Sequence, residues 1–341
     1  MIYVGLDVHK DWTTIAALDP ESGEVHRFDR VPNTLADFTA VLGALPGPLH
    51  GVLESGRNSW AMYDEIRPLF EELVVADAAE LKRRMSGRGA KTDRKDALKM
   101  ALVLAEGRVP AVWVPSLATR DVRALTRGKV RLTQLRTQVI NQIRSLCAMF
   151  GKECPASSLR SNKGMTWLQE VQLPPLATMM LGLWVQVLEL LKECVAEAEE
   201  QIEELAAEDG DARRIRTMPG VGALISLTVA VEVGDVRRFA TAKALIGYAG
   251  LAPQVHQSGE RTRHGPLPRS GNRWLRYVMV LAAQHVAQRK SDSTLGRCYW
   301  RMHIRHGPNP AKIATARKML TVAYHLLLRQ EDYEEQLPTA A

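Results

Sequence analysis

The sequence predicts an α/β domain followed by a predominantly helical remainder. Three observations carry that expectation. Three short apolar or alternating runs open the chain and then give way to alternating helix-like and strand-like segments within the first hundred residues. Two long stretches beyond them repeat apolar residues about every 3.5 positions, and the last third returns to compact helical periodicity around one Gly/Pro-rich loop. The length of 341 residues also exceeds the ~250–300 that one core organises. The expected division is an α/β domain over 1–110, long helices over 111–212, a mainly helical domain over 213–330 and an acidic tail over 331–341.

Taken in order, Ile2–Val8 is a short apolar run, Trp12–Leu18 is rich in Thr, Ile and Ala, and Glu24–Arg30 alternates apolar and charged residues. Asp19-Pro20 and Ser22-Gly23 mark a hairpin connection between the second and third. Asn33 or Thr34 can cap a helix carrying Leu35, Phe38, Val41 and Leu42, which Gly47-Pro48 stops. A strand over Leu49–Glu54, a helix around Ser59–Phe70 and a strand over Leu73–Ala76 complete a mixed sheet covered by helices. Residues 80–91 read as a basic, glycine-broken loop, and a helix runs from Thr92 to about Gly107.

The two long helices are expected over Thr119–Phe150, with arginines between its apolar positions, and over Leu181–Ala207, its acidic counterpart. Their spacing suits a coiled coil or a long antiparallel hairpin, and their opposite charges allow pairing with each other or with a second subunit. The segment 151–170 has no clear period and reads as an exposed connection. Met218-Pro219-Gly220-Val221-Gly222 is similar to the turn of helix-hairpin-helix DNA-binding modules; a plain helix–helix turn explains it equally well. Residues 250–272 read as a loop or short hairpin, and Trp274–Gln288 as an apolar helix.

Charge is distributed in blocks. Residues 1–80 carry a net −9, 81–150 a net +12, 151–212 a net −8, 213–318 a net +15 and the remainder −3, giving +7 for the chain. Two basic blocks separated by acidic ones point to a polyanionic partner, because clustered Lys and Arg bind phosphates and release counterions. No apolar run approaches the ~18–20 residues of a membrane span, and residues 1–30 lack a basic-then-apolar signal pattern, so a cytoplasmic protein is expected. The four cysteines include no C-x-x-C pair, which argues against a zinc knuckle or a disulfide framework.

Four acids stand out. Asp7 ends the first strand and Glu54 the fourth, and parallel neighbours would bring those ends together at the edge where α/β sheets bind ligands. Carboxylates placed there repel unless a cation lies between them. Asp93 and Asp96, three apart at a helix start, share a face. Oxygen donors without a Cys/His set suit Mg²⁺ or Mn²⁺, which would stabilise the attacking and leaving oxygens of a phosphodiester displacement.

With these residues in place, the sequence resembles the insertion-sequence 110 family of transposases, the group that includes the Piv DNA invertase. GLDVHK with Asp7, the strand-end Glu54 and KTDRKDA with Asp93 and Asp96 carry the match, joined by GLAPQVHQSGERTRHGPLPRSGNRWLRYVMVLAA in the C-terminal part. The resemblance runs from about residue 2 to 325. It implies a RuvC-like (ribonuclease H-fold) N-terminal domain, long coiled-coil helices and a mainly helical C-terminal transposase domain. The catalytic and metal-binding tetrad becomes Asp7, Glu54, Asp93 and Asp96, and the nucleophile Ser258 in Gln257-Ser258-Gly259. Ser270 is the competing serine, placed second because the family motif sets its serine directly before the first glycine.

The implied chemistry is serine attack on a DNA phosphate, assisted by Mg²⁺ or Mn²⁺, with the bond energy conserved in a phosphoserine link. Lys82, Arg83, Arg84, Arg88 and Lys91 in the first basic block, and Arg261, Arg263, Arg269, Arg273 and Arg276 around the serine, are the expected nucleic-acid contacts. The resemblance further implies double-stranded donor and target DNA, a structured guide RNA whose base pairing supplies specificity, and a homodimer or tetramer joined through the coiled coil in a bacterial, nucleoid-associated complex. Two other readings are a RuvC-like junction resolvase that hydrolyses DNA with Ser258 structural, and a non-catalytic nucleic-acid-binding scaffold. Retention of all four mutually repelling acids weighs against the scaffold.

Overall fold

The apolar opening run becomes strand β1 (Ile2–Val8), and its neighbours follow as β2 (Trp12–Leu18) and β3 (Val25–Pro32), an antiparallel meander. The structure is a computed structural model and describes all residues except 87–92, 156–157, 254, 259–260, 269 and 336–341; for 94, 255–258 and 261–264 it describes the backbone alone. It divides into two units, Met1–Pro115 and Ser116–Ala341.

In the first unit, helix α1 (Leu35–Leu42) begins where the Thr34 hydroxyl accepts from the Asp37 amide, and it leads to β4 (Leu49–Glu54). Helix α2 (Ser59–Ile66) is shorter than the sequence suggested. Pro68 lacks an amide hydrogen and ends the α-helical pattern, so Arg67–Leu69 continues as a 3₁₀ turn before β5 (Glu72–Ala76). The sheet has the order β3-β2-β1-β4-β5, with β1, β4 and β5 mutually parallel. Its mixed character and the β1–β4 adjacency match the sequence expectation.

Both faces of the sheet are covered. Val4, Leu6, Ile15, Leu53 and Val75 are buried on one face with Phe38 of α1 and Ile66 of α2. On the other, Val52 and Ala76 meet helix α3 (Ala78–Arg84) through Leu81 and helix α4 (Asp93–Ala105) through Met100 and Val103. Helix α3 corrects the reading of 80–91 as a loop. The Asp77 carboxylate accepts from the Glu80 amide, and Leu81 is fully buried, so a cap and one apolar anchor form two helical turns in a basic segment.

In the second unit, α5 (Leu117–Met149) starts at a Ser116 cap and runs for 33 residues. The supposedly irregular 151–170 contains helix α6 (Asn162–Glu170), capped by Ser161 and buried through Leu168. Only two of its residues, Gly164 and Leu168, are buried, which is too few to give a readable period. Helix α7 (Pro175–Glu208) then packs antiparallel along α5: Lys129 pairs with Glu199 at 2.8 Å near one end, while Ile143 and Cys147 share a core with Leu181 and Leu188 near the other. The two stretches of opposite charge thus pair within one chain.

Helices α8 (Gly210–Arg216) and α9 (Ala223–Val233) flank the 218–222 segment, which forms a helix–helix turn. After a 3₁₀ turn, Val236–Arg238, come α10 (Ala242–Tyr248) and a two-stranded antiparallel hairpin, β6 (Val255–Ser258) with β7 (Arg261–His264). Helices α11 (Arg273–Arg289), α12 (Thr294–His306) and α13 (Pro308–Arg329) complete the unit. Its main core is formed by residues such as Ile215, Val229, Leu245, Leu275, Met279 and Leu320. The described part of the acidic tail docks on it: the Tyr333 amide donates to the Thr217 hydroxyl at 2.8 Å.

Candidate metal centre

Strand register brings the first two acids to one edge. Leu6 pairs with Leu53 in parallel, so Asp7 and Glu54 follow as neighbours at the C-terminal ends of β1 and β4. Side chains two residues apart on a strand share a face, which places Asp7 with Gly5. Helix α4 lies on that face. A Cβ at Gly5 would collide with the Ala97 carbonyl oxygen and lie 2.8 Å from the Ala101 nitrogen, so the absence of a side chain at residue 5 sets how deeply α4 sits. One turn before Ala97, Asp93 is thereby held over Asp7.

His9, two residues beyond Asp7, joins them. Its Nε2 lies 3.5 Å from Asp7 Oδ2 and 3.6 Å from Asp93 Oδ2, and one donor atom from each of Asp7, His9 and Asp93 falls within a 4.8 Å group. The imidazole is held from two sides. Its ring lies against Trp12 with centroids 3.9 Å apart and planes tilted by 34°, and Asn33 Nδ2 donates to the His9 backbone carbonyl at 2.9 Å. The Thr13 hydroxyl in turn donates to Asn33 Oδ1 at 2.6 Å, fixing the amide.

His9 Nε2 is buried and has no hydrogen-bond partner among the described residues. Two carboxylate oxygens and an imidazole nitrogen converge here, and carboxylates this close to one another favour a positive charge among them. Two hard oxygens and one borderline nitrogen fit a small divalent cation, so the residues are compatible with a metal. Glu54, exposed at the end of β4, and Asp96, half-buried in the first turn of α4, lie outside this close group. The sequence reading grouped four acids; the structure brings two of them together with a histidine. His9 was overlooked although its signal was available, since a residue at i+2 from a strand-end acid shares its face.

The second unit carries the predicted serine. Ser258 ends β6, paired in register with Arg261 of β7, and its side chain lies outside the described residues. The base of the hairpin loop is fastened tightly. Gly271 has φ +97, and a Cβ there would lie 2.8 Å from the Gly250 nitrogen and 2.9 Å from its Cα, so the two ends of the 251–270 loop touch backbone to backbone. The Arg276 guanidinium donates to the carbonyls of Ala249 at 3.2 Å and Ser270 at 2.5 Å, and the Asn272 amide donates to the Tyr248 carbonyl at 2.7 Å. Arg276 therefore holds the loop base together.

Beneath that base lies a charged network that the sequence did not reveal. Glu232 of α9 is fully buried; Arg127 Nε and Nη2 donate to its two oxygens at 2.7 and 2.9 Å, and Asn272 Nδ2 donates at 2.7 Å. Arg123, also buried, donates to the Val231 and Glu232 carbonyls at 2.9 and 3.2 Å and lies 3.5 Å from the Glu232 carboxylate. Burial lowers the Arg123 guanidinium from its ordinary pKa, and the Glu232 charge opposes that shift. Asn272 Oδ1 meanwhile accepts from the Trp274 and Leu275 amides and caps α11. The Glu232 carboxylate thus links α9, α5 and the end of the hairpin loop.

Of the other expected nucleic-acid contacts, Arg83 and Arg84 pair with Glu80 at 2.6 and 3.3 Å, Arg84 also donates to the Arg108 carbonyl, and Lys82 is exposed on the same last turn of α3. Arg273 is exposed, its guanidinium 4.8 Å from the Trp274 ring centroid, and Arg131 approaches the same ring at 5.5 Å. Arg88, Lys91 and Arg269 lie outside the described residues, as do the side chains of Arg261 and Arg263.

Comparisons with known proteins agree on one family. A family model described as transposase, of the DEDD type of IS110, matches residues 4–149. A second, described as transposase of the IS116/IS110/IS902 family, matches residues 212–299. The chain is 29% identical over 248 residues to the transposase for insertion sequence element IS1111A of Coxiella burnetii, covering 71% of this chain and 68% of that protein. It is 27% identical to the putative transposase y4qE of Sinorhizobium fredii, covering 82% and 70%. A shorter match of 130 residues, 27% identical and covering 36% and 38%, relates it to the pilin gene-inverting protein of Moraxella bovis.

Proposed function

The chain belongs to the IS110/IS116/IS902 family of transposases, and on that premise we propose that it cuts and rejoins DNA through a serine-linked covalent intermediate. The observation that carries this reading is the convergence of Asp7, His9 and Asp93 at the C-terminal edge of a mixed sheet, in the segment matched as a DEDD transposase. We assign the sheet domain to the RuvC-like fold, with Asp7, Glu54, Asp93 and Asp96 as its acidic tetrad. Its strand order, and the helix seated over Gly5, support that assignment.

In the proposed reaction the Ser258 Oγ attacks a DNA phosphorus, an O–P bond to the serine forms, and the bond to one deoxyribose oxygen breaks. The serine proton is lost to a base, and the departing oxygen takes up a proton to become a free hydroxyl. Rejoining reverses these steps with a different deoxyribose hydroxyl, so the phosphodiester energy is retained. Mg²⁺ or Mn²⁺ bound by the tetrad would supply charge stabilisation for the entering and leaving oxygens. Asp7 and Asp93 would hold it, the Trp12–Asn33 framework would orient the adjacent His9, and Gly250, Gly271 and Arg276 would fix the hairpin that bears Ser258.

The basic blocks support a nucleic-acid partner, for which we propose double-stranded donor and target DNA together with a structured guide RNA. Arg273, Arg131 and Lys82 are exposed basic groups suited to phosphate contact. Self-association as a dimer or tetramer is proposed through the long helices. Leu176, Met180, Leu183, Val187 and Leu190 stand exposed on α7 at alternating spacings of four and three, an apolar row that suits helix–helix association. Among the described residues no helix is long and apolar enough to cross a membrane.

The test is covalent trapping. The protein is incubated with junction DNA from its element, the cognate RNA and Mg²⁺, then denatured and examined for a protein–DNA adduct. An adduct lost in Ser258→Ala and kept in Ser270→Ala is expected. Cleavage without an adduct would instead identify a hydrolytic resolvase.

A further inference from the structure

We propose that His9 is a direct nitrogen ligand of the divalent ion, bound together with Asp7 and Asp93, and that it biases the site toward Mn²⁺ over Mg²⁺. The inference rests on the reading of this edge as a metal site and adds a donor that an acidic tetrad does not contain. Three features carry it.

The first is position. His9 Nε2 stands 3.5 and 3.6 Å from the Asp7 and Asp93 oxygens. Donors bound at roughly 2.0–2.2 Å from one ion lie about 2.8–3.1 Å apart at neighbouring octahedral positions and about 3.3–3.6 Å apart in a tetrahedral shell, so side-chain shifts of about half an ångström make these atoms co-ligands.

The second is the availability of the nitrogen. Among the described residues, Nε2 is buried between the two carboxylates and makes no hydrogen bond, so the atom is placed to coordinate and is not spent on a protein partner.

The third is construction. A ligating imidazole has its ring orientation fixed by its surroundings. Trp12 lies against the ring at a 34° tilt, Arg30 lies over the indole at 5.6 Å, and the Asn33 amide, itself fixed by Thr13, grips the backbone carbonyl of His9. The turn between β1 and β2 is thus shaped around this side chain; the His9 amide closes it by donating to the Trp12 carbonyl at 2.9 Å.

Metal preference follows from donor chemistry. Mg²⁺ favours oxygen and parts reluctantly with water, whereas first-row transition ions accept imidazole readily. Replacing one oxygen by nitrogen therefore strengthens Mn²⁺ binding more than Mg²⁺ binding.

The test uses the full chain stripped of metal, without DNA or RNA. Mn²⁺ is titrated and followed by electron paramagnetic resonance, with Mg²⁺ as competitor. Pulsed measurements on the bound Mn²⁺ should show coupling to one imidazole nitrogen in the wild type. His9→Gln and His9→Asn should abolish that coupling, weaken Mn²⁺ binding about tenfold or more and leave Mg²⁺ affinity changed far less. Bound Mn²⁺ without nitrogen coupling in the wild type would overturn the role of His9 while leaving the metal site intact. No Mn²⁺ binding at millimolar concentration would remove the metal reading itself. The wild-type spectrum decides the matter even where a variant fails to fold.

Discussion

Gly5 and Ala97 touch so closely that the backbone of α4 rests on the backbone of β1. A Cβ at residue 5 would overlap the Ala97 carbonyl oxygen and come within 3.0 Å of its carbonyl carbon. Neither atom belongs to a flexible side chain, so relief requires the whole helix to move. Because Asp93 lies one turn ahead of Ala97 on that helix, the same contact sets the separation of Asp93 from Asp7 and His9.

Gly5→Ala is therefore expected to lower stability by about 3 kcal/mol or more, at the upper end for overpacked cores, and to weaken Mn²⁺ binding with it. Gly23→Ala serves as the comparison, with positive φ but open space around it, and should cost only about 1 kcal/mol. Chemical denaturation midpoints give both values. Equal small shifts in the two variants would show that α4 is free to relax away from the sheet.

Much of this geometry was readable in advance. The alternation of apolar residues and the turn formers located β1 to β5, and the two strand-end acids followed from them. His9 stands outside the pattern of paired carboxylates, although its offset of two from Asp7 announced a shared face. Glu232 could not be found in the same way. It sits in an apolar helix, Ala223–Val233, and its partners Arg123, Arg127 and Asn272 are distant in sequence, so only the packing of α5 against α9 reveals the pairing. Helix α6 was missed because two buried positions make no period.

The apolar row on α7 leads to a prediction about assembly. Leu176, Leu183 and Leu190 are 76%, 48% and 59% exposed, one heptad apart, while the opposite side of the helix buries Leu181, Leu188 and Val195 against its own chain. An exposed leucine seam of this length favours burial against another helix. Leu183→Glu with Leu190→Glu should lower the oligomeric state measured by sedimentation while leaving the melting of the α5–α7 hairpin nearly unchanged. Sedimentation identical to wild type would remove this face from the assembly.

The buried carboxylate of Glu232 gives the last prediction. It accepts from both nitrogens of an Arg127 fork and from Asn272, with Arg123 beside it, and no part of it reaches solvent. Removing one partner of such a buried set costs about 3–5 kcal/mol, since the remaining charges lose their counterion where water does not reach. Glu232→Ala should fall in that range. Glu232→Gln should recover little of it, because in either orientation its amide NH₂ faces a donor, Arg127 Nε on one side or Arg127 Nη2 and Asn272 Nδ2 on the other, and the negative charge is gone. Arg131→Ala, which deletes only an exposed guanidinium near Trp274, should cost no more than about 1 kcal/mol. Replacing Glu232, Arg123 and Arg127 together by apolar residues should restore most of the stability, because the penalty lies in unpaired charge rather than in lost volume. That triple variant should still lack strand-transfer activity: Asn272 would lose its Glu232 contact, and the base of the Ser258 hairpin would lose its link to α5. Denaturation midpoints together with adduct yield separate the two effects. A stable triple variant with full adduct yield would show that the network supports the fold alone.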